Sequence, residues 1–96
     1  MKPSQIFYSQ RSEIRQLVSK FRITNPRVFG SVLHQTDNEN SDLDLLVDAL
    51  PETTLFDLGG LQDALETHLG IRVDVKTPKD LPPKFRQQVL QEAQAL

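Results

Sequence analysis

Apolar residues at Ile14, Leu17, Val18 and Phe21 recur at steps of three and four, with Ile6 and Phe7 ahead of them. The spacing predicts an amphipathic helix from Ser4 to about Phe21, with a basic outer face. Asn25-Pro26 breaks it and starts a new element. Arg27-Val28-Phe29 then reads as a short strand ending at Gly30. Ser31 is a preferred cap residue and opens a brief helix running to His34 or Gln35. Thr36 to Ser41 is a polar loop, and Leu43 to Val47 an apolar run of strand length that stops at Leu50-Pro51. Phe56, Leu58, Leu61, Leu65 and Leu69 mark a second amphipathic helix, weakened in its first turn by Gly59-Gly60 and ended by Gly70. Ile71, Val73 and Val75 alternate with Arg72, Asp74 and Lys76, the mark of a strand with one buried face. Pro78, Pro82 and Pro83 punctuate the loop after it, and Phe85, Val89, Leu90, Ala93 and Leu96 make the last helix. This order predicts an α/β (α+β) fold, a small mixed sheet flanked by helices, in a single domain spanning residues 1–96.

Charge changes the picture more than composition does. Residues 1–30 carry six Lys or Arg and one acid, Glu13, whereas residues 31–70 carry nine acids and neither Lys nor Arg. An acidic centre does not hold phosphate unaided; it holds a cation that then holds phosphate. A pI near 5.6 disfavours nucleic acid as a stable partner. Without cysteine there are no disulfides and no thiolate metal sites. No run approaches the ~20 apolar residues of a membrane span, and the first residues lack the apolar core of a signal peptide, so a cytoplasmic location is expected.

The chemistry concentrates in FGSVLHQTDNENSDLDLLVD, Phe29 to Asp48, where ten residues separate Ser31 from Asp42. On a strand, residues i and i+2 share a face, so Asp42 and Asp44 point one way and Leu43 and Leu45 the other. Two carboxylates this close repel unless a proton or cation lies between them. Mg²⁺ suits such a pair, because it takes one or two carboxylates and accepts phosphate oxygens for other positions. Asp74 sits on the polar side of its own strand. Paired beside the Leu43–Val47 strand, it would bring a third carboxylate and make room for two ions. Asp74 is also the candidate to orient or deprotonate an attacking hydroxyl. Gly30 permits close approach of backbone to phosphate, and Ser31 offers a hydroxyl and a free N–H. Plainer readings stand beside these: Asp74 as a surface acid paired with Arg72 and Lys76, His34 as a solvated residue, His68 as a helix C-terminal residue.

Phe29-Gly30-Ser31, ten residues, Asp42-Leu43-Asp44-Leu45 and then Asp74 together resemble the signature of the DNA-polymerase-β-like nucleotidyltransferase superfamily. The chain is most similar in scale to its smallest branch, the minimal nucleotidyltransferase domains, and the likeness covers nearly its whole length. The resemblance implies that Gly30 and Ser31 bind a nucleoside triphosphate such as ATP. It implies Asp42, Asp44 and Asp74 as catalytic metal ligands for Mg²⁺, with two ions expected. Members of this branch are often encoded beside a HEPN-type helical toxin. They resemble antitoxins that inactivate it by complex formation or by transferring AMP to it. Where such members commonly carry Arg-Gly after the Gly-Ser turn, this chain has His34-Gln35.

Two functions therefore compete: a Mg²⁺-dependent nucleotidyltransferase acting on a partner-protein hydroxyl, and an antitoxin that neutralises its partner by contact alone. The intact acids favour the first, and His34-Gln35 the second. A third reading, a plain metal- or nucleotide-sensing domain, explains less. A domain of this size leaves no room for a separate acceptor lobe, so the acceptor is expected on a partner protein. The basic helix around Arg11 and Arg15, or the last helix, is the expected docking surface.

Overall fold

The computed structural model describes all 96 residues. Its elements run α1 (Pro3–Ser9), α2 (Arg11–Ser19), β1 (Ile23–Phe29), α3 (Gly30–His34), β2 (Leu43–Ala49), α4 (Leu55–Leu69), β3 (Val73–Lys76), a 3-10 turn (Pro78–Asp80), α5 (Pro83–Glu92) and β4 (Gln94–Ala95). The four strands form one sheet in the order β3-β2-β1-β4. Strands β2 and β3 are parallel, joined through α4, while β1 is antiparallel to both of its neighbours. The mixed sheet flanked by helices is the architecture that the alternation of helical and strand patterns implies.

Strand alternation decides which face is buried. Leu43, Leu45, Val47 and Val73 point into a core shared with Ile14 and Val18 of α2, Leu61, Leu65 and Leu69 of α4, and Phe7, Val28 and Val32. The opposite face carries Asp44, Asp48 and Asp74, with Leu46 buried between the first two, so one strand parity packs the core and the other presents the acids around a covered leucine. Helix α4 is held at its start by a reciprocal cap between Thr54 and Asp57 and ended by Gly70 in a left-handed conformation, φ +71°. Gly60 does more than loosen the helix: a Cβ there would stand 2.9 Å from the Phe21 ring, so α4 and the end of the N-terminal segment meet over it.

Three element boundaries differ from the sequence expectation. The first helix is two helices, because Gln10 leaves helical geometry (φ −123°, ψ 27°) and closes α1 with its N–H on the carbonyls of Ile6 and Phe7. The break turns Phe7 toward β2 and α3 while α2 lies on β1 and α4. Asn25-Pro26 does not start a new element but lies inside β1. Asn25 takes a left-handed φ of 54°, and the register slips between Thr24 and Arg27. A bulge absorbs the proline, whose missing N–H then removes nothing from the ladder. Finally, the last helix stops at Glu92. Ala93 turns extended, and Gln94–Ala95 adds a fourth strand to the outer edge of β1, with Leu96 N–H on the Pro26 carbonyl. Pairing an open strand edge outweighs two more residues of a helix that buries no side chain.

Candidate functional site

The end of β1 and the beginning of β2 meet because the two strands are antiparallel, with Phe29 opposite Asp44. Gly30, next in the chain, takes φ +74°, a conformation L side chains rarely adopt. It lies so close over β2 that a Cβ would come within 2.4 Å of Asp44 Oδ2. Glycine is thus required twice, by its backbone angle and by the carboxylate above it. Ser31 follows in the first turn of α3, a helix whose N-cap, Phe29, offers no side-chain acceptor to the leading N–H groups.

The parallel register of β2 and β3 places Asp44 opposite Asp74 and Leu43 opposite Val73. Two acids from separate strands therefore stand side by side on the exposed face of the sheet. Burial is the main force on Asp44. It raises the carboxyl from 3.8 to about 6, with repulsion from Asp74 and then Asp42 adding to the rise and Lys76 opposing it. A carboxyl in that position holds its charge reluctantly unless a cation arrives.

Asp42 lies one residue before β2 and is exposed. Its Oδ1 accepts from Arg72 Nε at 2.9 Å, and Arg72 also donates to the Asn40 carbonyl at 2.6 Å. Asp74 Oδ2 lies 3.3 Å from Lys76 Nζ. The three acids do not close into one tight cage, and the outer two are paired with cations instead, Asp42 with Arg72 just before β3 and Asp74 with Lys76 on it. The basic residues that flank Asp74 in sequence thus serve two different acids rather than one. They also supply positive charge beside a stretch that has none of its own.

His34 does not reach the acids: its Nε2 lies 3.1 Å from Glu92 Oε2 of α5, and the ring is half exposed. Gln35 caps α3 in a left-handed conformation, φ 58°. His68 ends α4 as an exposed residue near its C-terminus. Arg11 donates to the Ala95 carbonyl at 3.4 Å and Arg15 to the Ser12 hydroxyl at 3.2 Å.

One residue of the site's frame was not singled out by pattern. Asp37 is 6% exposed and accepts from Ser4 N–H at 2.8 Å, so it pins the loop between Ser31 and Asp42 to the start of α1. A short polar loop gives no sign that one of its acids turns inward. The bracing of Asp48 by Arg27 (2.7 Å) and Asn25 (2.8 Å) was equally hidden, because it depends on the bulge.

Residues 10–96 match the model of a family described as the nucleotidyltransferase domain. The chain is 32% identical over 87 residues to the protein adenylyltransferase MntA of Thermococcus cleftensis, covering 91% of this chain and 85% of that one. A solved structure of a protein assigned as a minimal nucleotidyltransferase superimposes with a TM-score of 0.81. It is 38% identical, covering 97% of this chain and 93% of its own. A crystal structure of a toxin–antitoxin with AMP-PNP gives a TM-score of 0.73 over 88% of this chain and 69% of its own. At 23% identity it shows a shared fold.

Proposed function

The chain belongs to the nucleotidyltransferase domain family, and from that premise we propose that it transfers AMP from ATP onto a hydroxyl of a partner protein. The observation that carries this reading is the Asp44–Asp74 pair standing across two parallel strands beneath a glycine turn that no other residue fits. The 32% identity to a protein adenylyltransferase supports the choice of AMP and of a protein acceptor.

The donor set suits a divalent cation. It is all carboxylate oxygen, it leaves positions for water and phosphate, and Asp44 gains from a cation what burial costs it. Asp42, Asp44 and Asp74 would hold Mg²⁺, with two ions expected. Bound there, the metal supplies charge neutralisation for the departing pyrophosphate and a more acidic acceptor hydroxyl. Gly30 and Ser31 offer backbone N–H groups and a hydroxyl to the triphosphate. The acceptor oxygen bonds to the α-phosphorus as the bond to the bridging oxygen breaks, releasing pyrophosphate. Asp74 orients that hydroxyl and receives its proton. The acceptor must sit within about 3–3.5 Å of the phosphorus and in line with the leaving group.

A partner that presents the hydroxyl is part of the proposal, and a HEPN-type helical toxin is the partner we infer, with this chain as its antitoxin. Its docking surface is supported by apolar residues left in the open. Leu55 and Phe56 are 85% and 89% exposed at the start of α4, and α5 buries none of its side chains. No helix of the chain is long and apolar enough to cross a membrane.

A second reading, neutralisation by complex formation with an idle site, draws on one observation. His34 is tied to Glu92 instead of offering a guanidinium to phosphate, and Gln35 holds a left-handed angle that glycine would adopt freely. Co-expression with the protein encoded beside this gene separates the two. We expect one chromatographic peak, and a partner whose intact mass includes AMP with the wild type but not with Asp44→Asn. A complex whose partner is never modified would favour the second reading, and two separate peaks would contradict both.

A further inference from the structure

Lys76 stands two residues beyond Asp74 on β3, so the two side chains leave the same face of the strand. Its ammonium lies 3.3 Å from Asp74 Oδ2, and the side chain is 35% exposed. Its register partner on β2 is Leu46, which is fully buried, so the lysine stem rises beside apolar surface while its head turns to the acids. The charge is felt at Asp44 as well, where it opposes the repulsion from Asp74.

Among the basic residues near the acids, Lys76 is the one free to change partner. Arg72 is engaged twice, by Asp42 and by the Asn40 carbonyl, and so fastens the loop before β2 to the residue leading into β3. Lys76 has one ionic partner within salt-bridge distance, Asp74, while Asp80 lies close enough to feel its charge. A divalent cation on Asp74 would take that partner away, because the lone pairs go to the ion and the ion repels the ammonium. A partly buried ammonium that loses its close partner keeps only weaker, more distant ones in Asp44 and Asp80, which is costly. The triphosphate that accompanies the cation carries the anionic oxygens that would replace Asp74. A lysine donates to phosphate as a point charge from a flexible stem, so it needs no fixed approach angle to make the exchange.

We propose that Lys76 is a further binding residue of this site: it occupies Asp74 in the cation-free protein and passes to a phosphate oxygen of the nucleoside triphosphate once a divalent cation holds that acid. The inference rests on the reading of Asp74 as a cation ligand. It has two consequences of opposite sign. Without Lys76, a bare cation binds more easily, since its internal competitor is gone. A metal–triphosphate binds less well, since the charge that receives the phosphate is gone. A lysine that merely braces β3 would not move these two affinities in opposite directions.

The test uses the full chain with Lys76→Met, which keeps the apolar stem and removes the charge, and Lys76→Arg, which keeps the charge. Calorimetric titration with Mn²⁺ alone should show about threefold to tenfold tighter binding for Lys76→Met. Titration with AMP-PNP in saturating Mg²⁺ should show about tenfold weaker binding, with Lys76→Arg close to wild type. Circular dichroism melts confirm that each variant is folded. Equal affinities in wild type and Lys76→Met, or a parallel loss of both, overturn the proposal. Asp74→Asn is run alongside. If it abolishes Mn²⁺ binding while Lys76→Met changes nothing, only the role of Lys76 fails. If it leaves Mn²⁺ binding intact, the reading of Asp74 fails and the role of Lys76 with it.

Discussion

Asp44 and Asp74 are register partners across the parallel β2–β3 pair, two acids on one face contributed by strands thirty residues apart in the chain. Nothing local brings them together. The pairing is made by α4, which carries the chain from the end of β2 back to the start of β3, as a parallel connection requires. The domain therefore assembles its acids only when its core is complete.

Asp44 adds a pH dependence to the cation-free protein that opposes the one from Asp80, whose carboxyl the Thr77 backbone N–H holds low. The Asp44 carboxyl lies at about 6 in the fold against 3.8 unfolded, so the folded state favours the protonated form. The stability linked to that proton is fully present below about pH 4 and is lost as pH rises through about 6. Asp44→Asn removes this contribution. In EDTA at pH 7.5 the variant should be more stable than wild type by about 1–2 kcal/mol, after allowing for solvent screening at a half-exposed group. At pH 4 the two should be equal. Urea denaturation across this range checks it; a variant less stable than wild type at pH 7.5 would show that burial does not penalise this charge.

Gly30→Ala tests the turn. The left-handed backbone costs about 1–2 kcal/mol for any residue with a Cβ, and here that Cβ would also strike Asp44 Oδ2. We expect a lower melting temperature together with loss of transfer. Wild-type activity and stability would mean that the close approach of turn and acid is not needed.

Gln35→Gly should do the reverse. Gln35 holds φ 58° at the end of α3, which glycine reaches without strain, so the substitution should stabilise by about 0.5–1 kcal/mol. Gln35→Ala should give no such gain, which separates backbone strain from loss of the side chain. Adding His34→Arg should tighten ATP binding in Mg²⁺ by about tenfold, since a guanidinium forks onto phosphate oxygens. Unchanged affinity in the double variant would show that this turn does not face the triphosphate.

Asp37→Ala should destabilise by about 1–3 kcal/mol, because it leaves the part-buried Ser4 N–H without its acceptor and frees the loop before Asp42. Asp37→Asn keeps an acceptor oxygen and should recover most of the loss. Thermal melts of the two variants decide it; equal losses would mean that the charge, not the acceptor, matters.

Much of the fold was legible because its signals are local. The alternation of Leu43, Leu45 and Val47 against Asp42 and Asp44 announces a half-buried strand, and the three- and four-residue steps through Leu61, Leu65 and Leu69 a packed helix. The left-handed end at Gly70 could be read from glycine alone. The rest depended on partners. Gln10 looks like any helical residue until α1 and α2 must cover different elements. Asn25-Pro26 reads as a break until the Asp48 carboxylate holds both sides of the bulge. The last residues follow a helical pattern until the open edge of β1 claims them. At the candidate site, residue spacing suggested that Asp42, Asp44 and Asp74 share a neighbourhood. The Lys76–Asp74 pair could be read from the alternation of one strand, but that Arg72 turns to Asp42 instead follows only from how β2 and β3 are set side by side.

The central claim is transfer of a nucleotide to a protein, and ATP labelled at either end tests it most directly. Purified partner protein is incubated with this chain and Mg²⁺, once with α-³²P-ATP and once with γ-³²P-ATP. The account predicts label on the partner from the α position alone, and none with Asp44→Asn or Asp74→Asn. Label from the γ position would mean phosphoryl transfer, and no label from either, in a complex that forms and whose partner accepts no AMP, would mean that the acids serve a binding module and not an enzyme.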